Sequence, residues 1–160
     1  MIDRRTILKC LAPLPVITWI AAKAQASMLT EEGLVTVDSR YPVGESLDRL
    51  EGELKARGIA IFARIDHAAG AASVLLPLRP TQLLIFGSPK AGTPLMQSNQ
   101  AIGIDLPLKV LAWQDAGGKV WLTYNDPRWL ARRHRLGADS RASVDALVAV
   151  LADLVEGARG

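Results

Sequence analysis

The strongest constraint on the fold lies in residues 106–126, where two strand-like runs flank a glycine pair. The runs LPLKVLAWQD and KVWLTYND are rich in β-branched and aromatic residues, and Gly117 and Gly118 stand between them. Two such runs joined by a short glycine-containing loop predict a β-hairpin. A lone hairpin is marginally stable in water, so other parts of the chain must pair with it or cover it.

The residues before the hairpin alternate between strand and helix patterns. Residues 33–40 and 59–66 have the composition of strands, and residues 43–58 between them carry leucines at helical spacing. Gly58 is placed to end that helix. A strand, a helix and a strand joined this tightly predict a helix packed over a sheet.

The segment that leads to the hairpin contains one further clear strand. Residues 80–87 read PTQLLIFG, a near-continuous apolar run that is expected of a strand with both faces covered. Residues 67–80 are less decisive, because Gly70 allows a turn and the apolar residues after it fit a short helix or an irregular connection.

The C-terminal part of the chain predicts two helices. Asp126 and Pro127 fit the cap and the first turn of a short helix. Ser140 is placed to cap a final helix with a wide apolar stripe, formed by Val144, Leu147, Val148, Leu151, Leu154 and Val155. Together the segments predict one α+β (two-layer α/β) domain of order β-α-β(several)-α, in which two main helices pack on a mixed sheet.

The first 26 residues have the layout of an export signal. A charged start is followed by the apolar stretch CLAPLPVITWIAA and a small-residue end, which predicts cleavage after Ala26 and a domain at residues 27–160. Arg4 and Arg5, followed by TILK, resemble the twin-arginine pattern, with an ordinary secretory signal as the alternative. The apolar stretch is too short to span a bilayer. We therefore expect a periplasmic or otherwise exported domain without stable membrane insertion after cleavage.

Removal of the signal changes the charge balance and the cysteine content. The chain has 19 basic and 16 acidic residues, and the two numbers become equal once Arg4, Arg5, Lys9, Lys23 and Asp3 are removed. Nucleic-acid binders need a surplus of cations on the folded domain, so we expect no nucleic-acid partner. The single cysteine, Cys10, leaves with the signal, which excludes a disulfide, a thiol nucleophile and a thiolate metal site in residues 27–160.

The stretch FGSPKAGTP, residues 86–94, carries the main chemical hypothesis. If the strand ends at Phe86 and a helix begins near Thr93, the helix amides without intrahelical partners and the charge of Lys90 favour an anionic ligand. Gly87 and Gly92 would let the backbone approach that ligand. The alternative is a structural turn, in which the glycines supply positive φ and Lys90 faces water.

Four segments of the chain resemble the domain of unknown function 302 family. They are IDHAAGA, FGSPKAGTPLM, IGIDLPLKVLAWQDAGGKVWLTYNDP and LARRHRL, and the similarity runs from about Gly33 to Gly157. The resemblance implies an α/β fold and a homodimer, and the family has no settled activity. Ser88 stands where the family usually has Asn, which changes one side-chain contact at the turn.

Polar residues in these segments form the candidate site. The candidate ligand-binding residues are Asp66, Gly87, Ser88, Lys90, Gly92, Thr93, Asp105, Tyr124, Asp126 and Arg133, and the candidate acid/base residues are His67 and His134. Several have structural alternatives: Asp66 and Asp105 as caps, and Tyr124 as a core residue with its hydroxyl at the rim. The closely spaced ligand pair typical of metal sites is absent, so no metal is expected. The sequence does not indicate a cofactor.

Three functions are compatible with this pattern. The first is a periplasmic domain that binds or senses a small anionic molecule at the turn around Lys90. The second is an enzyme that uses His67 as general base, with Lys90 and backbone amides stabilising negative charge. The third is a non-catalytic module that assembles as a dimer through its exposed sheet.

Overall fold

The structure is a computed structural model that describes residues 28–30 and 32–160. The predicted export signal, with its twin-arginine-like pattern, lies outside the described residues. The strands are β1 Met28–Leu29, β2 Leu34–Ser39, β3 Ala60–Asp66, β4 Thr81–Gly87, β5 Leu108–Gln114 and β6 Val120–Asn125. The helices are α1 Val43–Ala56, α2 His67–Ser73, α3 Pro89–Ser98, α4 Pro127–Arg133 and α5 Arg141–Arg159, with 3₁₀ turns at Gln100–Ile104 and Ala138–Ser140.

The six strands form one sheet in the order β1-β2-β6-β5-β4-β3, and every neighbouring pair is antiparallel. The α+β class is therefore confirmed, whereas the prediction of a mixed sheet was wrong. β2 and β3 run in the same direction, but α1 carries the chain across the sheet, so that β6, β5 and β4 lie between them. Parallel strands consequently never become neighbours.

One face of the sheet is covered by the two main helices, as the sequence predicted. Leu47, Leu50 and Leu54 of α1 have no exposed surface, and α5 contributes a second buried row that ends at Ala158. The strands contribute Val37, Leu84, Phe86, Val110, Ala112 and Leu122 to the same core. Burial of these side chains, each contributing roughly 1.5–3 kcal/mol, makes this layer the main source of stability.

The opposite face of the sheet stays half-buried. It carries Leu83 and Ile85 of β4, so the expectation that β4 would be covered on both faces is met only on the helix side. Trp113 and Trp121 are directly paired across the hairpin, with ring centroids 6.4 Å apart. Trp113 Nε1 donates to Thr123 Oγ1 at 2.9 Å, which satisfies the indole on this face.

A second, smaller core lies at one end of the sheet. It joins α3, the first 3₁₀ turn, α4 and the start of α5 through Leu95, Ile102, Leu130 and Val144. Next to it, Trp129 lies against Gly33, where φ is +80° and an added Cβ would be 2.1 Å from Trp129 Cγ. This small core fixes the elements that build the candidate site.

Several local predictions agree with the structure. The hairpin forms with Gly118 at φ +84°, and Gly58 follows α1 at φ +65°. Asp126 caps α4, with Pro127 in its first turn. Residues 67–80, which the sequence left open, form α2 with Gly70 inside the helix, followed by an exposed non-helical stretch.

Candidate functional site

Most of the predicted site residues meet at one end of the sheet. Antiparallel pairing brings together the end of β4 at Gly87, the start of β5 at Leu108 and the end of β6 at Asn125. α3, the turn Gln100–Ile104 and α4 follow directly from these strand ends. The candidate site is therefore built from four segments that are separate in sequence.

α3 begins five residues earlier than the sequence predicted, which placed Thr93 as the cap and Pro94 in the first turn. Its cap residue is the extended Ser88 and its first residue is Pro89, whereas Thr93 and Pro94 lie inside the helix. Both prolines follow residues with cap character, and the structure uses the earlier pair, so that α3 begins directly after β4. Pro89 also has the φ that a first helical residue requires.

The start of α3 offers fewer free donors than expected. The amides of Ala91 and Gly92 both donate to the carbonyl oxygen of Ser88, at 3.0 Å each. Among the described residues, this leaves the Lys90 amide as the first-turn N–H without a protein acceptor. The exposed Lys90 ammonium adds a full charge at the same place and forms no ion pair with any described residue.

Gly87 and Gly92 do not adopt a positive φ. The described glycines in the left-handed region are Gly33, Gly58, Gly118 and Gly160, so that part of the structural-turn alternative was wrong. A Cβ on Gly92 would lie 3.6 Å from Leu106 Cδ1, an ordinary van der Waals distance. A Cβ on Gly87 would lie 3.4 Å from Pro107 Cβ. These glycines leave room beside the helix without being required by its backbone.

Two apolar clefts flank the start of α3 and share Gly87, Ser88 and Ala91 in their walls. The first, called the Met96 cleft, has a volume of about 280 Å³. Its walls include Phe62, Ala91, Met96, Gly103, Leu106 and Pro107. Thr93 and Ser88 are its polar members, so this cleft favours apolar groups.

The second cleft, called the Val150 cleft, lies between α3, β4 and α5 and has a volume of about 320 Å³. Its walls include Ile59, Ala91, Leu108, Leu147, Val150 and Leu154. The polar side chains in its lining are Ser88, Lys90 and Ser143. An apolar hollow with one cation in its lining matches a ligand that has an apolar body and one acidic group.

A polar cluster lies behind the Met96 cleft. His134 Nε2 is 2.5 Å from Asp105 Oδ2, and Arg133 Nη1 is 3.7 Å from the same oxygen. Asn99 Nδ2 donates to the carbonyl oxygen of His134 at 2.7 Å. The structure thus brings together three predicted site residues, in a contact that joins α4 to the turn Gln100–Ile104.

Lys109, which sequence reasoning did not select, completes this cluster. Its ammonium donates to the carbonyl oxygens of Asp105 at 2.8 Å and Pro107 at 3.0 Å. These bonds fix the segment that forms one wall of the Met96 cleft. The sequence around Lys109 does not distinguish a lysine that bonds to backbone carbonyls from one that points into solvent, so this role could not be predicted.

Tyr124 and Asp126 have mainly structural roles. Asp126 is buried and its carboxylate accepts from the Arg128 amide at 2.9 Å, which caps α4. Burial, and then the nearby Asp126 charge, raise the pKa of the Tyr124 phenol above its ordinary value. Neither residue lines a cleft.

Asp66 and His67 lie at the other end of the sheet. Asp66 pairs with Gln82 at the start of β4, whereas Gly87 ends that strand, and at about 3.4 Å per residue the two ends are roughly 20 Å apart. Asp66 accepts from the Ala69 amide at 2.8 Å and so caps α2, as the structural alternative held. The pairing of an exposed His67 base with Lys90 was therefore wrong.

No three His, Cys, Asp or Glu side chains among the described residues come close enough together to hold a metal ion. None of the helices described for residues 28–30 and 32–160 is both long and apolar enough to cross a membrane.

The cleft walls were the main feature that sequence reasoning missed. Phe62 stands at a register shift in β3, between Ile61 and Ala63, and is 57% exposed. The run IAIFARID gives no sign of that shift. Leu147 belongs to the apolar stripe of α5 and was interpreted as core, yet it faces both clefts. The apolar stripe of α5 is wider than the surface that packs on one neighbouring layer, and this width could have indicated that Leu147 lies outside the main core.

Comparisons with known proteins agree with this architecture. The family model described as domain of unknown function DUF302 matches residues 35–154. A crystal structure of an uncharacterised conserved DUF302 protein from Bacillus stearothermophilus has a TM-score of 0.71 at 20% identity, and the match covers 79% of this chain and 98% of that one. This likeness shows the fold.

Curated relatives carry a different kind of name. The fluoride-specific ion channel FluC 1 of Brucella suis biovar 1 (strain 1330) is 51% identical over 120 residues, which cover 75% of this chain and 47% of that protein. FluC 1 of Brucella abortus biovar 1 (strain 9-941) is also 51% identical, with 44% of its length covered. The chain thus spans less than half the length of these relatives.

Proposed function

The chain belongs to the DUF302 family, and we propose that it is an exported domain that binds or senses a small organic acid. The apolar part of the ligand lies in the Val150 cleft, and its acidic group meets Lys90 and the free amide at the start of α3. The observation that supports this proposal is the position of Lys90 as the one cation in the lining of a mainly apolar hollow, whose other polar side chains are Ser88 and Ser143.

The balance of energies favours an organic acid over an inorganic anion. Burial of about 150 Å² of apolar ligand surface contributes roughly 4 kcal/mol, at about 25 cal/mol per Å². An exposed ion pair contributes only about 0–1 kcal/mol. Because Lys90 is exposed and the lining offers few other donors, a small hydrated anion gains too little to replace its water shell. Lys90 therefore orients the acid, while the cleft supplies most of the affinity.

The curated relatives support a role beside a membrane channel. More than half of each Brucella protein lies outside the match, and that part is available to form the pore. On this proposal, the domain is an accessory that reports the presence of an organic acid to a channel. The periplasmic location remains a prediction from the export signal.

The binding proposal is tested with octanoate and octanol as probes on residues 27–160. We expect both to raise the melting temperature, because both have an apolar chain. Lys90→Gln should weaken octanoate binding by about fivefold, the equivalent of roughly 1 kcal/mol, and leave octanol binding unchanged. Lys55→Gln is the matched control, because Lys55 is exposed on α1 and pairs with Glu51.

Two results would contradict the binding proposal. One is an equal loss of octanoate binding in the Lys90 and Lys55 variants. The other is a melting shift with sodium fluoride, at matched ionic strength, where octanoate gives none. Ala146→Trp, which narrows the Val150 cleft from the exposed side of α5, should reduce binding of both octanoate and octanol.

The accessory role is tested separately in liposomes. Fluoride efflux is measured with the Brucella suis relative and with a form that lacks the matched region. We expect conduction to persist without the region, because the corresponding residues here supply no membrane-crossing helix. Loss of conduction from a form that still folds and inserts would assign the region to the conduction path.

A second candidate function is assembly through the sheet face that carries Trp113 and Trp121. The half-buried aromatic pair on that face is the observation that favours it. Light scattering of the wild type and of Trp121→Glu tests this candidate: a dimer that becomes monomeric in the variant supports it. The homodimer expected from the family resemblance remains a prediction until then.

A further inference from the structure

The most exposed apolar segment of the described chain is the loop at residues 74–78, with the sequence VLLPL. Val74 is 63% exposed, Leu75 92%, Leu76 62% and Leu78 50%. Every residue from 72 to 80 is exposed, and α2 before it buries none of its residues. The loop therefore stands clear of the domain and contributes its side chains to neither core.

The loop is held in shape despite this exposure. The amides of Val74 and Leu75 donate to the carbonyl oxygens of Ala71 and Ala72, at 3.1 and 3.0 Å, and Leu76 also bonds to Ala71 at 3.0 Å. Leu75 has φ +59°, a conformation uncommon for a leucine. The bonds to Ala71 and Ala72 form the C-terminal cap of α2, in which the residue after the cap takes a positive φ and is most often glycine. Here that position is held by Leu75, whose side chain is exposed to water.

The loop segment itself carries no acidic residue, and two carboxylates lie at its base. Residues 67–80 contain no Asp or Glu, and their titratable groups are His67 and Arg79. Arg79 Nε donates to the carbonyl oxygen of Gln114 at 3.0 Å, which anchors the guanidinium at the base of the loop. The carboxylates at the base are Asp66, which accepts from the Ala69 amide and from Gln82, and Asp115, which accepts from the amides of its turn and from Trp121.

We propose that residues 74–78 are a membrane-contact loop that inserts its leucines into the outer part of a bilayer containing anionic lipids. A protruding row of aliphatic side chains fits between lipid chains, whereas protein interfaces favour aromatic residues and arginine at their centre. Arg79 at the base lies where anionic headgroups would be. The channel names of the Brucella relatives place homologous regions in membrane proteins.

This contact goes beyond the proposed ligand binding and is compatible with it. The loop precedes β4, and the clefts begin where β4 ends, so roughly 20 Å of strand separates them. The clefts therefore remain open to water while the loop touches the membrane. Four side chains make a reversible contact, which agrees with the expectation of no stable insertion.

Vesicle binding by residues 27–160 tests the proposal. These residues contain no cysteine, so Leu75→Cys can be labelled with an environment-sensitive dye. We expect a blue shift with vesicles of phosphatidylcholine and phosphatidylglycerol, and a smaller one with phosphatidylcholine alone. Ile104→Cys is the matched control, because Ile104 is 77% exposed beyond the opposite end of the sheet, and it should show no shift.

A second variant keeps the proposal falsifiable. Leu75→Ser with Leu76→Ser should reduce co-sedimentation with the anionic vesicles at least tenfold and leave the melting temperature unchanged. Three results would overturn the proposal: no dye shift with any vesicle, equal binding to both lipid compositions, or self-association without lipid that the double variant abolishes. The last would assign the loop to a protein interface.

Discussion

His134 Nε2 lies 2.5 Å from Asp105 Oδ2, and this contact joins two segments that are far apart in sequence. His134 is the cap residue directly after α4, and Asp105 is the cap residue directly after the 3₁₀ turn Gln100–Ile104. Their side chains are only 9% and 14% exposed. The pair therefore connects α4 to the 3₁₀ turn behind the Met96 cleft. This contact favours a structural role for His134, which the sequence analysis selected as an acid/base candidate.

Replacement of His134 by alanine should destabilise the domain by about 1–3 kcal/mol, because the Asp105 carboxylate loses its shortest partner in a little-exposed place. Urea unfolding measures the change. His67→Ala is the control, since His67 is exposed and its loss should cost less than about 0.5 kcal/mol. Additive effects of His134→Ala and Asp105→Asn in a double-mutant cycle would show that the two side chains are not coupled.

Gly92→Ala should stabilise the domain by roughly 0.5–1 kcal/mol. Gly92 lies within α3, where glycine is unfavourable, and an added Cβ would meet Leu106 Cδ1 at 3.6 Å without a clash. Thermal unfolding measures the gain. A loss of stability would mean that the backbone at Gly92 needs the freedom of glycine.

Gly33→Ala should destabilise the domain by about 2 kcal/mol or more. The φ of +80° strains a residue with a side chain, and the new Cβ would stand 2.1 Å from Trp129 Cγ, so the indole must move. The change is measured by chemical unfolding. Trp129→Ala removes the indole atoms at 2.1 and 2.3 Å but keeps Trp129 Cβ at 2.6 Å, so the cost of Gly33→Ala should be smaller in that background without disappearing. An equal cost would remove the indole from the explanation.

Asp115 should make the hairpin sensitive to acid. Its carboxylate accepts from Trp121 Nε1 at 2.8 Å and from the amides of Lys119 and Gly117 at 2.9 Å. The Trp121 bond, followed by the Lys119 amide bond, holds the pKa of Asp115 below its ordinary value of 3.8. Because the pKa of Asp115 is lower in the folded state, the charged carboxylate stabilises the fold fully at a pH above the ordinary value of 3.8. This stabilisation is lost as the pH falls through the lower pKa of the folded state.

The stability difference between wild type and Asp115→Asn should therefore be largest near neutral pH and shrink at strongly acidic pH. Melting temperatures of both proteins between about pH 2 and about pH 6 measure this difference. A constant difference across that range would show that the carboxylate charge does not contribute.

The sequence predicted those features that depend on neighbouring residues. Asp126 before Pro127 determines where α4 begins, and Gly117 with Gly118 closes the hairpin, because turn and cap chemistry is local. The order of the strands in the sheet, in contrast, does not follow from neighbouring residues in the sequence. β2 pairs with β6 rather than with β3 because α1 spans the whole sheet, and no local pattern states the length of that crossing.

The candidate site was predicted in part for the same reason. Lys90 and Ser88 were selected from residue type and do line the Val150 cleft. The chain contains two Ser/Thr-Pro pairs that could begin the helix, Ser88-Pro89 and Thr93-Pro94. Thr93 was expected at the helix start, but α3 begins at the first pair, directly after β4 ends at Gly87. His67 was grouped with Lys90 because both residues follow strands. β3 and β4 are antiparallel neighbours, however, so their C-terminal ends lie at opposite ends of the paired strands.

The place of β6 in the sheet has a consequence for synthesis. β6 is the last strand to leave the ribosome, yet it lies between β2 and β5. Until residues 120–125 emerge, β2 has only the two-residue β1 as a partner, and the leucines of α1 have half a sheet to cover. The nascent chain therefore cannot complete its sheet stepwise, and folding must wait until nearly the whole polypeptide is available.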